Sequence, residues 1–259
     1  MEPRLAEDAV KSARRVFEIL EYFDRQRRPL ALKEVLDGLG YPASSGSALL
    51  KSLVALGYLD HDRERRTYFP TMRIAALGAW VQDGLFGDGA LTGLMSHLHQ
   101  VTGETVILAA QSDLRAQYVH LIHSAEPLQF SVPPGARRPL AKSGMGWLLL
   151  SAKRDNEIEK LRRRINAEEG EAARLSREEL MQIIGEVRAR GYAFSKHTVS
   201  EGAGVIGALL PPAPHGRVYA LGVAGPVARL ERKEALILAE LKAGIEGLAT
   251  SPRHLEGIH

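Results

Sequence analysis

A chain of 259 residues with 45% hydrophobic content is long enough for one large domain or two ordinary ones, each with its own core. It has no cysteine, which excludes disulfides, thiol nucleophiles and thiolate metal sites. No run reaches the roughly 18 uninterrupted apolar residues of a membrane span, and the start, MEPRLAEDAV, lacks the charged-then-apolar build of an export signal, so a cytoplasmic protein outside the membrane is expected.

Net charge is only +3, but Lys11 to Arg73 carries 12 Lys and Arg against 8 Asp and Glu. Such a basic segment can supply the salt-dependent phosphate attraction of a nucleic-acid binder, or be a solvated surface. Ser12 to Asp24 sets Val16, Ile19, Leu20 and Phe23 at helical spacing, with Ser12 as the expected N-cap. A turn from Arg25 to Leu30 follows. Leu32, Val35, Leu36 and Leu39 then give a short second helix that Gly38 or Gly40 stops.

The next stretch, Tyr41 to Asp60, has two faces. Pro42 suits a first helical turn, and Gly57 is a stop just past the last periodic leucine. At about 100° per residue, Leu49, Leu50, Leu53 and Leu56 gather on one side with Val54 at its margin, while Ser44, Ser47, Ala48 and Lys51 gather on the other. Solvent-facing helices ordinarily carry long Glu and Lys side chains, so this short polar face points to a partner that comes close. The DNA major groove is one such partner and a neighbouring helix is another. Three short helices in succession, the third with these faces, resemble a helix-turn-helix.

Tyr58 to Asp60 and Thr67 to Phe69 read as short strands around a charged turn, a wing whose tip residues Arg63, Arg65 and Arg66 suit phosphate or minor-groove contact. Residues 71–86 keep helical periodicity through Ile74, Leu77, Trp80 and Val81 up to the break Gly87-Asp88-Gly89, a natural connector between domains. Beyond it the spacing predicts a helix over Leu91 to Val101, strands over Thr105 to Ala110 and Gln117 to Ile122, and a helix over Leu140 to Leu150. Charged helices follow at about 156–165 and 176–190. Strands at about 203–210 and 217–224 flank the turn PPAPHG, and a last helix spans about 230–249. This is a mixed α+β order with helices flanking a sheet.

Catalytic and metal chemistry find little support. His97 and His99, two apart on a helix, do not face one another, and His120 and His123, three apart in a strand-like run, point to opposite faces. No carboxylate cluster accompanies them, so no metal is expected. Ser143 lies in KSGMG, which is not the G-x-S-x-G elbow. A backbone site at a helix starting near Ser143 fits better, with Gly144 and Gly146 permitting close approach; tight packing alone would explain the same glycines.

Five segments in order, Pro42 to Leu53 with Gly57-Tyr-Leu59, Thr102-Gly-Glu-Thr105, Pro139-Leu-Ala-Lys-Ser-Gly-Met-Gly146, Arg190-Gly-Tyr-Ala193, and Gly225-Pro226 with Arg229, resemble the IclR family of bacterial transcription regulators over about residues 12–249. The resemblance implies a winged helix-turn-helix domain (1–73), a linker helix (74–88) and a GAF-like α/β effector-binding domain (89–259), acting on double-stranded operator DNA as a homodimer or dimer of dimers. It implies no cofactor and no catalytic residue. Members often carry arginine where Ala48 stands, which leaves base contact to Ser44, Ser45, Ser47, Lys51 and Ser52. Pocket positions of similar proteins fall on Gly144, Met145, Ser195, Ala203, Val205, Gly222 and Ala224, a more apolar set than in members that bind small keto acids. Arg138 is added from chemistry alone: just before the glycine segment, its guanidinium could grip an effector carboxylate bidentately or lie solvated at the surface. An enzyme, or a ligand sensor that binds no DNA, stays open as the alternative.

Overall fold

In the N-terminal unit, three helices close over a three-stranded antiparallel sheet. The structure is a computed structural model describing residues 10–77, 89–126, 132–133, 135–169, 174–213 and 216–250. The chain divides into two units, Met1–Val81 and Gln82–His259, so the division falls inside the segment expected to link the domains.

Helix α1 (Lys11–Gln26) buries Ile19 and Phe23, with Val16 and Leu20 packed beside them. It begins one residue earlier than expected, and Val10, not Ser12, occupies the cap without any side-chain hydrogen bond. A two-residue strand β1 (Leu30–Ala31) precedes α2 (Leu32–Leu39), where the Glu34 carboxylate accepts the Ala31 N–H at 2.8 Å. Helix α3 (Ala43–Ala55) buries Gly46, Leu50 and Leu53 at spacings of four and three, the positions that stack on one helical face. These join Ile19, Phe23, Leu30, Val35, Leu59 and Tyr68 in one core.

Leu56, expected on that face, is 58% exposed, because the helix has already ended there. Gly57, at φ +76°, donates its N–H to Val54 O at 2.9 Å, and Tyr58 donates to Leu53 O at 2.8 Å, the paired bonds of a left-handed glycine stop. Strands β2 (Leu59–Asp62) and β3 (Thr67–Pro70) pair antiparallel, with β1 on the far side of β3. A helical turn α4 follows at 72–77; the rest of the connector helix expected over 71–86 lies outside the described residues.

The C-terminal unit is a six-stranded sheet in the order β6-β5-β4-β9-β8-β7, with every neighbouring pair antiparallel. Its strands are β4 (Thr105–Ser112), β5 (Arg115–Ile122), β6 (Arg137–Pro139), β7 (Tyr192–Lys196), β8 (Ala203–Leu209) and β9 (Tyr219–Pro226). On one face α5 (Ala90–Thr102) and α9 (Val227–Ala249) pack on Val106, Leu108, Ile206, Leu221 and Val223. On the other, α6 (Gly144–Ser151) packs on the alternate residues Ile107, Ala109, Val205, Ala220 and Ala224, and α8 (Arg177–Arg190) and, against it, α7 (Asp155–Glu169) extend the same core. This period-two division of a sheet covered on both faces gives the expected α+β architecture. The sequence reading had no strand at β1, β6 or β7.

Just before β4, a central strand of this sheet, the Glu104 carboxylate is fully buried. It accepts from Arg229 Nε at 2.8 Å and Nη2 at 2.6 Å and from Lys233 Nζ at 2.9 Å, which ties the start of β4 to the first turns of α9. A buried carboxylate needs such partners.

Candidate DNA-reading helix and effector cleft

Helix α3 turns Ser44, Ala48, Lys51 and Ser52 to solvent and leaves Ser45 and Ser47 half-buried. Two of these hydroxyls are committed locally. Ser45 Oγ donates to Pro42 O at 3.2 Å and accepts from Arg15 Nη1 at 3.3 Å, and Ser52 Oγ donates to Ala48 O at 2.8 Å. Arg15 also lies over the Tyr41 ring at 4.8 Å, while the Tyr41 hydroxyl bonds Glu18; burial and that carboxylate push the Tyr41 phenol up to about 12. This cluster fixes the first turn of α3 against α1.

The wing tip carries Arg63, Arg65 and Arg66, all exposed. Asp62 Oδ1 shapes the turn by accepting from the N–H groups of Glu64 and Arg65 at 2.9 and 3.0 Å, and these bonds, that of Arg65 first, hold its carboxyl below the usual range. Arg66, at φ 54°, is one of the few described non-glycine residues in the left-handed region.

In the C-terminal unit a cleft forms where α6, β5, β7 and β8 meet. It is lined by Ser143, Gly144, Met145, Ser195, Ala203 and Val205, all expected there, together with Tyr118, Gly204 and the loop residues Thr198, Val199 and Ser200. Ser143 caps α6: its Oγ accepts from Gly146 N at 3.2 Å and donates to Pro139 O at 2.7 Å. The N–H groups of Gly144 and Met145, in the first turn, have no acceptor within the helix. Gly144 allows β7 to come close, since a Cβ there would lie 2.5 Å from Ser195 Oγ. Ser195 itself is only 4% exposed.

Two expected pocket residues do not line this cleft. Gly222 and Ala224 lie on β9 in register with Gly207 and Val205, one strand behind the wall, and Met145 Sδ covers Gly222. Arg138, on β6 opposite Ala116, stands outside the cleft wall and reaches it through Tyr118, whose ring centroid is 5.8 Å from its Cζ. Its Nε is buried and has no hydrogen-bond partner among the described residues. Burial pushes the Tyr118 phenol up, against the pull of the Arg138 charge. Tyr118 is aimed inward beside a bulge: Ala109 pairs with Tyr118 and Leu108 with His120, leaving Val119 unopposed. The histidines considered for metal serve locally, with His97 bonded to Glu240 at 2.7 Å and His99 to Glu104 O at 3.0 Å. Among the described residues no three His, Cys, Asp or Glu gather as a metal site, and no helix is long and apolar enough to cross a membrane.

The N-terminal unit is a winged helix-turn-helix, the fold of a DNA-binding regulator, and the C-terminal unit is an α/β domain that carries a cleft. The family model for the IclR helix-turn-helix domain matches residues 12–63, and that for the bacterial transcriptional regulator IclR C-terminal domain matches residues 90–250. The chain belongs to the IclR family. It is 26% identical over 196 residues to the HTH-type transcriptional regulator KdgR of Escherichia coli (strain K12), covering 75% of this chain and 74% of that protein, and 23% identical over 236 residues to the Transcriptional repressor IclR of the same organism, covering 85% and 82%. Among solved structures, an effector domain from Acinetobacter sp. ADP1 matches with 32% identity and a TM-score of 0.58, covering 62% of this chain and 95% of its own. The Thermotoga maritima IclR matches at 16% identity with a TM-score of 0.68, covering 92% and 97%, a likeness of fold.

Proposed function

We propose that this regulator binds a small organic acid in the cleft between α6 and the β7–β8 hairpin, and that it reads a pseudo-palindromic operator as at least a dimer. The observation that carries the first part is the cleft's composition. Backbone donors at the α6 start and the Ser195 hydroxyl make one polar end, where a carboxylate is favoured by the helix dipole. Tyr118, Met145, Ala203 and Val205 supply apolar walls, and the Arg138 guanidinium behind Tyr118 adds positive potential. This balance favours an acid with an apolar or aromatic body over a highly polar keto acid. The second part is supported by the single helix-turn-helix per chain, since one recognition helix reads too few base pairs for specificity. The N-terminal unit also leaves Phe17, Met72 and Leu77 more than half exposed, apolar surface suited to a second copy.

In this reading Lys51, Ser44, Ser47 and the wing arginines contact DNA, while Ser45 and Ser52 shape the helix. The effector alters DNA affinity only as far as it binds the two DNA-affinity states unequally. The test is a thermal-shift screen of the full chain against organic acids, followed by calorimetric titration of each hit into wild type and Gly144→Trp, and by gel shift of DNA from the gene's own upstream region with and without the hit. A hit should bind wild type, fail to bind the blocked variant and change the gel shift. Equal binding to both proteins would put the effector site elsewhere.

A further inference from the structure

The recognition face of α3 has an apolar centre. With Ser45 Oγ held by Pro42 and Arg15, and Ser52 Oγ turned back onto the Ala48 carbonyl, the groups left pointing outward are Ser44, the Ala48 methyl and Lys51, with Ser47 at the margin. Ala48 is one turn beyond Ser44 and three residues before Lys51, so its Cβ lies midway along the strip. A side chain this short lets the α3 backbone approach the floor of a groove more closely than a long one could. The Arg15–Ser45 and Arg15–Tyr41 contacts hold the first turn in one orientation while it does so.

Only one base edge in the major groove offers an apolar group, the 5-methyl of thymine. We propose that Ala48 is a specificity-determining residue that packs on a thymine methyl, so that each operator half-site carries a thymine at the centre of the α3 contact. Lys51 lies about 4.5 Å further along the helix at 1.5 Å per residue, against about 3.4 Å per base step. Its ammonium therefore reaches the guanine O6/N7 edge one or two base pairs from that thymine. This rests on α3 being the helix that enters the groove.

The experiment separates the two. The full chain selects duplexes from a random-sequence pool, and each thymine of the enriched duplex is then replaced in turn by deoxyuracil, which pairs identically and lacks only the methyl. With wild type, one thymine in each half-site should weaken binding about fourfold on replacement, the value of one buried methyl group. With Ala48→Gly, the thymine-to-uracil ratio at that position should fall to about one while ratios elsewhere stay unchanged. A ratio is insensitive to the fraction of variant that is folded, and if Ala48→Gly does not fold, Ala48→Ser, which adds a hydroxyl at the contact, should lower the same ratio instead. A scan in which no methyl matters, or a methyl effect that survives Ala48→Gly, overturns the assignment and leaves α3 as a DNA-binding helix. Failure to enrich any duplex overturns the placement of α3 in the groove as well.

Discussion

Gly144 is the position where the cleft geometry can be tested most directly. An alanine there would place Cβ 2.5 Å from Ser195 Oγ and 2.9 Å from Ser195 Cβ, whereas ordinary contact begins at 3.4 Å, so α6 and β7 would have to part by several tenths of an ångström or more. Neither side yields easily. Ser143 pins α6 through two hydrogen bonds, and β7 is paired along its length with β8, Ser195 opposite Val205. Overpacking of this kind costs about 1–3 kcal/mol, which for a unit of this size corresponds to a melting point lower by roughly 3–10 °C. Ser195→Gly removes both clashing atoms and leaves only the backbone nitrogen at 3.6 Å. The double variant Gly144→Ala, Ser195→Gly should therefore recover at least half of the loss caused by Gly144→Ala, a coupling measured by a double-mutant cycle. Thermal unfolding of the full chain followed by circular dichroism reads all four proteins. If Gly144→Ala melted with wild type, or if Ser195→Gly gave it no relief, α6 and β7 would not approach as described.

Lys51→Glu should weaken operator binding by about 1–3 kcal/mol if the lysine meets a base, and removing a phosphate contact instead should lower the salt slope by about one; unchanged affinity in a low-salt titration would remove Lys51 from the interface. Light scattering of the chain on its selected duplex should give at least two copies per duplex, and one copy would refute the dimeric reading. Glu159 accepts from Arg162 Nε at 2.8 Å and Nη2 at 2.9 Å and from Arg163 Nε at 2.7 Å, bonds that hold its carboxyl at about 2 instead of 4.5. A carboxylate with a depressed folded value stabilises the fold above its unfolded value and loses that contribution as pH falls towards the folded one. Glu159→Gln should thus melt below wild type at pH 7, the gap should narrow below about pH 4.5 and vanish near 2, and a gap as wide at pH 3 as at pH 7 would contradict the assignment.

How far the sequence carried is set by which interactions are local. The two faces of α3 follow from helical period alone, and Leu50 and Leu53 are buried as that period requires. Leu56 fails the pattern because a glycine stop, not hydrophobicity, decides where the face ends. Ser12 was a plausible cap, but the helix starts one residue earlier and leaves it inside the first turn. Strands β1 and β6, two and three residues long, exist through pairing with distant partners and carry no alternating pattern. In β7 the inward residues are Ala193 and Ser195, too small or too polar to register as a buried face. The helix start near Ser143 was legible from Gly144 and Gly146, which permit close approach; that the Ser143 hydroxyl caps the helix comes from the structure. Tyr118 was not legible, since it continues the inward alternation of Ala116, which precedes the expected start of the strand at Gln117, and Thr198 to Ser200 were not, since a loop enters a site only through the hairpin that carries it.

The size of the cleft bears on how an effector could act. The cleft encloses about 310 Å³ with its open mouth included. That lies at the low end of the roughly 300–1,000 Å³ of ligand pockets, so seating a larger acid would require a wall to give way. The strands are held by their pairing and α6 by its cap. The wall left is the loop between β7 and β8, which contributes Thr198, Val199 and Ser200 and leaves Val199 39% exposed. Its ends are not free. Gly202 donates its N–H to His197 Nδ1 at 3.0 Å, its carbonyl accepts the Val227 N–H at 2.9 Å, and Lys196 bonds Glu231 at 2.8 Å. Under the proposed reading, an acid that displaces this loop therefore pulls first on the N-terminal turn of α9, the same turns that Glu104 clamps to β4. Each tenfold change in DNA affinity demands about 1.4 kcal/mol of unequal binding between two such arrangements, and one that moved the start of α9 away from β4 would have to break the pairing of Glu104 with Arg229 and Lys233.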